Sequence, residues 1–146
     1  MTSQTAMASS DVRRLLTLTE RLTERLQTET AAISRHRAQD VSSGIGQTQE
    51  MANQYRRESA QLKADPSILA AAPASERMAL IRATETFETV LAAHARAVEA
   101  ARVVSEGLVQ TIAQEVAAAR AMGTGYGAGG HATSGDGRAV TFNRTA

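Results

Sequence analysis

Residues 122–131 read MGTGYGAGGH, and Gly125, Gly127 and Gly130 stand at the G-x-G-x-x-G spacing of a dinucleotide-binding loop. Such a loop works because a strand delivers the chain to it and a helix starts after it. The free N–H groups and positive dipole end of that helix then meet the pyrophosphate. Here the order is inverted. The glycines follow a long helical pattern, so the free backbone groups nearby are carbonyls and the dipole end is negative. The stretch reads as a helix stop leading into a linker, with Tyr126 as its one anchoring side chain, and no cofactor is expected.

The remaining chemistry-bearing residues are sparse. The chain has no Cys and three His, at 36, 94 and 131. No His pair stands at metal-ligand spacing with a third ligand nearby. No Ser lies in a nucleophile-elbow context, and the carboxylates are spread along helix faces as partners for Arg. His94, within Ala92-Ala93-His94-Ala95-Arg96-Ala97, is the one residue with a chemical alternative. A His on a helical bundle, flanked by a cation and small residues, is the arrangement of a phosphotransfer domain. The small, glycine-bearing context expected after such a His is missing, and a half-buried seam histidine is the preferred reading. No catalytic, cofactor-binding or metal-binding residue is assigned, and an enzyme is not expected.

The elements that position these residues follow from composition. The chain has 146 residues, enough for one domain, and a net charge of +1. That balance lacks the basic excess of a nucleic-acid surface. No run approaches the roughly 18 apolar residues of a membrane span, and no secretory signal opens the chain, so a cytoplasmic protein without membrane insertion is expected. Asn143-Arg144-Thr145 matches a glycosylation sequon, which such a protein does not use. Leu, Ile, Val and Phe number only 26 of 146, and Ala supplies much of the rest of the 42% hydrophobic content. Ala is the best helix former, so the composition predicts helices with thin seams.

Residues 1–8 read as a disordered start. Ser9-Ser10-Asp11 supplies a cap, and apolar residues then recur at helical spacing from Val12 to Leu62. Leu22, Ile33, Gly44 and Tyr55 fall 11 apart, the period of a nearly straight helix. This predicts one helix of about 50 residues with a weak point at Gly44-Ile45-Gly46. Asp65-Pro66 stops it and caps a short turn over 67–71, and Pro73 is a second stop. Ser75-Glu76 then starts a second long helix with a heptad seam. Thr84, Leu91, Val98, Ser105 and Ile112 occupy one position, and Phe87, His94, Ala101, Leu108 and Glu115 the other. It is expected to end near Ala121 with Gly123 as its cap. Residues 122–146 read as a flexible Gly-rich tail, in which Val140 and Phe142 form a short strand, a docking peptide or a frayed end. The expected fold is all-α, a long antiparallel helical hairpin or small bundle over residues 9–121.

Three blocks carry a resemblance: Leu15-Leu16-Thr17-Leu18-Thr19-Glu20-Arg21-Leu22, then Ala100-Ala101-Arg102-Val103-Val104-Ser105-Glu106-Gly107-Leu108-Val109, then Gly125-Tyr126-Gly127. Over about residues 10–130 the chain resembles the FlgN-like, FlbY-type flagellar export chaperones. The resemblance implies a cytoplasmic chaperone that holds hook-associated proteins or related export substrates before type III secretion and delivers them to the export apparatus. It also implies that the client surface lies on the second helix, over about Val98 to Val116. The partner-binding residues expected there are Val98, Ala101, Ser105, Leu108, Val109, Ile112 and Val116, with Tyr126 beyond them. The alternatives are a structural or regulatory coiled-coil protein of the flagellar basal body that self-associates as a homo-oligomer, and the His94 phosphotransfer bundle.

Overall fold

The structure, a computed structural model, describes the backbone of residues 2–127 and the side chains through Gly123. Five helices follow one another: α1 (Thr2–Ser34), α2 (Gln39–Ser42), α3 (Ile45–Ala64), α4 (Pro66–Ala71) and α5 (Ala74–Gly127). There is no strand among the described residues, and the fold is all-α as expected. The chain divides into two compact units, residues 1–101 and 102–146.

In the first unit α1, α3 and the early part of α5 form an up-down-up bundle. Seven of the ten buried residues of α1 fall at 8, 12, 15, 19, 22, 26 and 29, alternating steps of four and three, with Ser9, Leu18 and Thr23 beside them. That is a heptad seam, not the 11-residue period expected for this segment. Two of the buried residues are threonines, Thr19 on this seam and Thr23 beside it. Thr19 is fully buried, and its hydroxyl donates to the Leu15 carbonyl at 2.7 Å. Thr23 does the same to the Thr19 carbonyl at 2.7 Å. Bonding back to the preceding turn satisfies each hydroxyl without a partner helix.

The 50-residue helix expected from the sequence is two helices folded against each other. α1 stops at Ser34 in a Schellman motif. The Arg37 N–H bonds the Ala32 carbonyl at 2.9 Å and the His36 N–H bonds the Ile33 carbonyl at 3.0 Å. His36 takes the left-handed conformation, φ 59°, that the motif demands. Arg37 then pairs with Asp40 at 2.8 Å across α2, and Gly44 caps α3, which returns antiparallel to α1. The 11-residue spacing of Leu22, Ile33, Gly44 and Tyr55 is a coincidence across a chain reversal. The start also differs. α1 begins at Thr2, and Ala8 is buried, so residues 2–8 are helical.

The second junction follows its expected chemistry. Asp65 leaves the helical region (φ −127°, ψ 83°) and its carboxylate accepts from the Ser67 N–H at 3.1 Å, with Pro66 in the first turn of α4. Extended Ala72 (ψ 150°) and Pro73 then turn the chain into α5. α5 lies parallel to α1. The Ser9 hydroxyl donates to Glu76 at 2.8 Å at one end, and His94 meets Glu29 at the other.

Two apolar clusters fill the first unit. Val12, Leu15, Ala72 and Leu80 pack with Leu16, Tyr55, Leu62 and Leu69. Leu22, Leu26 and Phe87 pack with Met51, Ala52, Tyr55 and Val90. Tyr55 joins both, its ring centroid 4.8 Å from that of Phe87 at a 44° tilt, a distance typical of aromatic pairs. Leu91, expected on the seam, is 44% exposed. The buried face of α5 runs instead through Leu80, Phe87, Val90 and His94, the last two half-buried.

In the second unit α5 continues as helix, and every described side chain from Arg102 to Gly123 is exposed. The helix runs through Gly123 to Gly127 rather than ending near Ala121. The remaining tail, with Val140 and Phe142, lies outside the described residues.

Candidate functional site

His94 sits where the seam assignment puts it, half-buried on α5, and its setting shows what holds it. Its Nε2 lies 3.1 Å from Glu29 Oε2 on α1. The other oxygen of Glu29 accepts from the Thr48 hydroxyl of α3. That hydroxyl accepts from Arg25 Nε, and Arg25 Nη2 donates to the Gly44 carbonyl at 2.8 Å. One polar chain thus ties three helices together at the end where α1 reverses into α3. Glu29 is a carboxylate on the buried heptad face, with a side chain only 10% exposed. Burial of a carboxylate is tolerated only with partners of this kind.

A cleft of 1070 Å³ opens beside this network. Its charged lining comprises Arg21, Arg25, Arg35 and Arg37 against Glu24, Glu29, Asp40 and Glu50. Equal numbers of both signs give it no preference for an anionic ligand. Among the described residues no group of three or more His, Asp or Glu could hold a metal ion.

The expected partner-binding residues lie on α5. Val98 and Ala101 belong to the first unit; in the second, successive residues of an α-helix turn by about 100°, so Ser105, Leu108, Val109, Ile112 and Val116 share one face about 100° wide. Val98 is 44% exposed, Leu108 59%, Val109 65%, Ile112 50% and Val116 44%. Ser105 is also exposed and Ala101 half-buried. A contiguous exposed stripe of branched apolar side chains is what helix-binding surfaces present. Tyr126 belongs to the last turn of α5, and its side chain lies outside the described residues. The network around Glu29 carries no sequence motif. Its only signal is an acid on the four-three repeat of α1.

Over 142 residues, and 95% of each chain, the sequence is 44% identical to the flagellar basal-body protein FlbY of Caulobacter vibrioides. The chain belongs to the FlbY family. The match runs through both the bundle and the exposed part of α5, and it bears out the family expected from the sequence. No family model matches the chain, and no solved structure matches it. Like its relative, this FlbY-family chain is a flagellar protein. Among its described residues no helix is long and apolar enough to cross a membrane.

Proposed function

We propose that this FlbY-family protein is a cytoplasmic chaperone of flagellar assembly, holding hook-associated proteins before their type III export. The observation that supports the reading is the stripe from Leu108 to Val116, which leaves branched apolar side chains 44–65% exposed. A client's amphipathic helix lays its own apolar face along this stripe, the helix-in-groove mode. Each branched side chain covered contributes on the order of 1–3 kcal/mol. Arg102 and Glu106, paired at 3.6 Å, flank the stripe with both signs of charge.

Leu108→Glu and Ile112→Glu test this. Both positions are at least half exposed, so both variants keep their helicity by circular dichroism. Both lose capture of a hook-associated protein in a pull-down. Variants that fold and still bind remove the stripe as the client site, and a wild-type protein that captures no such client removes the chaperone reading. The phosphotransfer alternative is disfavoured by Glu29, which stands 3.1 Å from the His94 Nε2 that would carry the phosphoryl group.

A further inference from the structure

The exposed stripe of α5 stands near the end of the chain, and the end of the chain carries apolar residues of its own. α5 closes at Gly127. Residues 128–137 then read AGGHATSGDG, four glycines in ten, and the chain finishes Arg138-Ala139-Val140-Thr141-Phe142-Asn143-Arg144-Thr145-Ala146. Apart from alanine, Val140 and Phe142 are the only apolar residues after Tyr126. They stand two apart, so an extended segment turns both to one side.

We propose that residues 139–143 of this chain fold back over α5 and cover its stripe at Leu108, Val109, Ile112 and Val116. Spacing supports this. Side chains on one side of an extended segment recur about every 6.8 Å, and side chains four apart on a helix recur about every 6 Å. Returning from the far end of α5, Val140 meets the turn between Val116 and Ile112, and Phe142 meets the next turn, between Ile112 and Leu108. Reach supports it too. From Gly127 back to Ile112 is about 22 Å along the helix axis. The stretch from Gly127 to Val140, at this glycine-rich composition, spans on average about 20 Å and at full stretch about 44 Å. The contact is also small. Five extended residues cover about 17 Å, the distance along α5 from Leu108 to Ala119, and both parties belong to the second unit.

A linker whose average span matches the distance it bridges holds its end at an effective concentration on the order of millimolar. A contact with a dissociation constant of about 0.1 mM is then made roughly nine-tenths of the time. Two apolar side chains thus shield a surface that they would not hold as a separate peptide. The covering does not rest on the chaperone reading. A client helix that takes the stripe displaces the tail, and the test contains no client.

The chain has no Trp, so Phe142→Trp in the full chain places a single indole at the contact. Its emission is expected to lie to the blue of the same protein unfolded in urea, and acrylamide is expected to quench it less. Leu108→Glu or Ile112→Glu in that background returns both readings to the unfolded values, with helicity retained by circular dichroism. Ile112→Ala, a change that favours helix, moves both part of the way. Dilution by about a hundredfold changes neither, because a contact within one chain does not depend on concentration. An indole that reads as solvent-exposed in the otherwise wild-type chain overturns the proposal. So does a shielded indole indifferent to all three stripe variants, which places the tail elsewhere. A shielded indole that is uncovered on dilution overturns it as well, because the occupant is then the tail of a second copy.

Discussion

Gly44 and Gly46 stand two residues apart at the start of α3, and the structure predicts opposite signs for replacing them by alanine. Gly44 has φ −105° and ψ −4°, a conformation open to any L residue, so backbone strain is not at issue. Space is. A Cβ on Gly44 runs into the Nη2 of Arg25, with Arg25 Cζ at 3.5 Å and the Val41 carbonyl at 3.8 Å. Arg25 must move. It then gives up its bond to the Gly44 carbonyl and its hold on Thr48, and Glu29 loses its orienting neighbour. Hydrogen bonds from a charged group contribute about 1.5–3 kcal/mol when buried. With Arg25 28% exposed, solvent reduces this to roughly 1–2 kcal/mol. Removing a glycine returns about 0.4–1 kcal/mol through the unfolded chain. Gly44→Ala is therefore expected to destabilise by about 1 kcal/mol. Gly46 has nothing within 4 Å of its added Cβ, so Gly46→Ala gains about 0.5–1 kcal/mol of helix propensity. Urea unfolding followed by circular dichroism reads both, together with Arg25→Ala and the Arg25→Ala/Gly44→Ala pair. In the Arg25→Ala background the cost at Gly44 disappears and the substitution becomes neutral or stabilising. If Gly44→Ala stabilises the wild type as much as Gly46→Ala does, the Arg25 account is refuted.

His36→Gly is expected to raise stability by up to about 1 kcal/mol, because glycine takes the left-handed position closing α1 without the steric cost that a side chain carries. A lower midpoint in urea would show that the imidazole itself matters there. Leu22→Ala, at a site only 2% exposed, is expected to cost about 2–5 kcal/mol. Leu108→Ala, at 59% exposure, is expected to change monomer stability by less than about 0.5 kcal/mol. Thermal unfolding in dilute solution separates the two, and equal losses would place Leu108 in a core.

Much of the architecture was legible because proline and aspartate leave unambiguous marks. Asp65-Pro66 and Pro73 bracket α4 as their chemistry requires. The reversal at 35–44 was not legible. Helix ends are usually announced by glycine, and here a histidine takes the left-handed position while Gly44 comes eight residues later, at the start of the next helix. The helical content of 2–8 was missed because small polar residues are weak helix formers alone, whereas buried Ala8 and Ser9, with Glu76 bonded to the Ser9 hydroxyl, anchor that turn. The pairing of Glu29 with His94 crosses 65 residues, and no local pattern encodes it. The stripe on α5 was legible as a pattern but not as a surface. The same repeat runs through buried Phe87 and exposed Leu108, and only the position of α1 and α3 decides which is covered.

The tie at Arg25, Glu29 and Thr48 also has a meaning in time. It joins residues 19–23 apart in the chain, whereas α5 reaches α1 across separations of 65–67. Closing the shorter loops costs about 1 kcal/mol less chain entropy, and synthesis delivers both of their partners before Phe87 exists. The α1–α3 hairpin thus has its turn, its polar clasp and half of its apolar seam in hand while the ribosome is still making the rest. Leu22, Leu26 and Tyr55 must wait, uncovered on one side, for Phe87 and Val90 to arrive. For that interval the nascent chain exposes an apolar face on α1 and α3, a different face from the one that the finished protein exposes on α5.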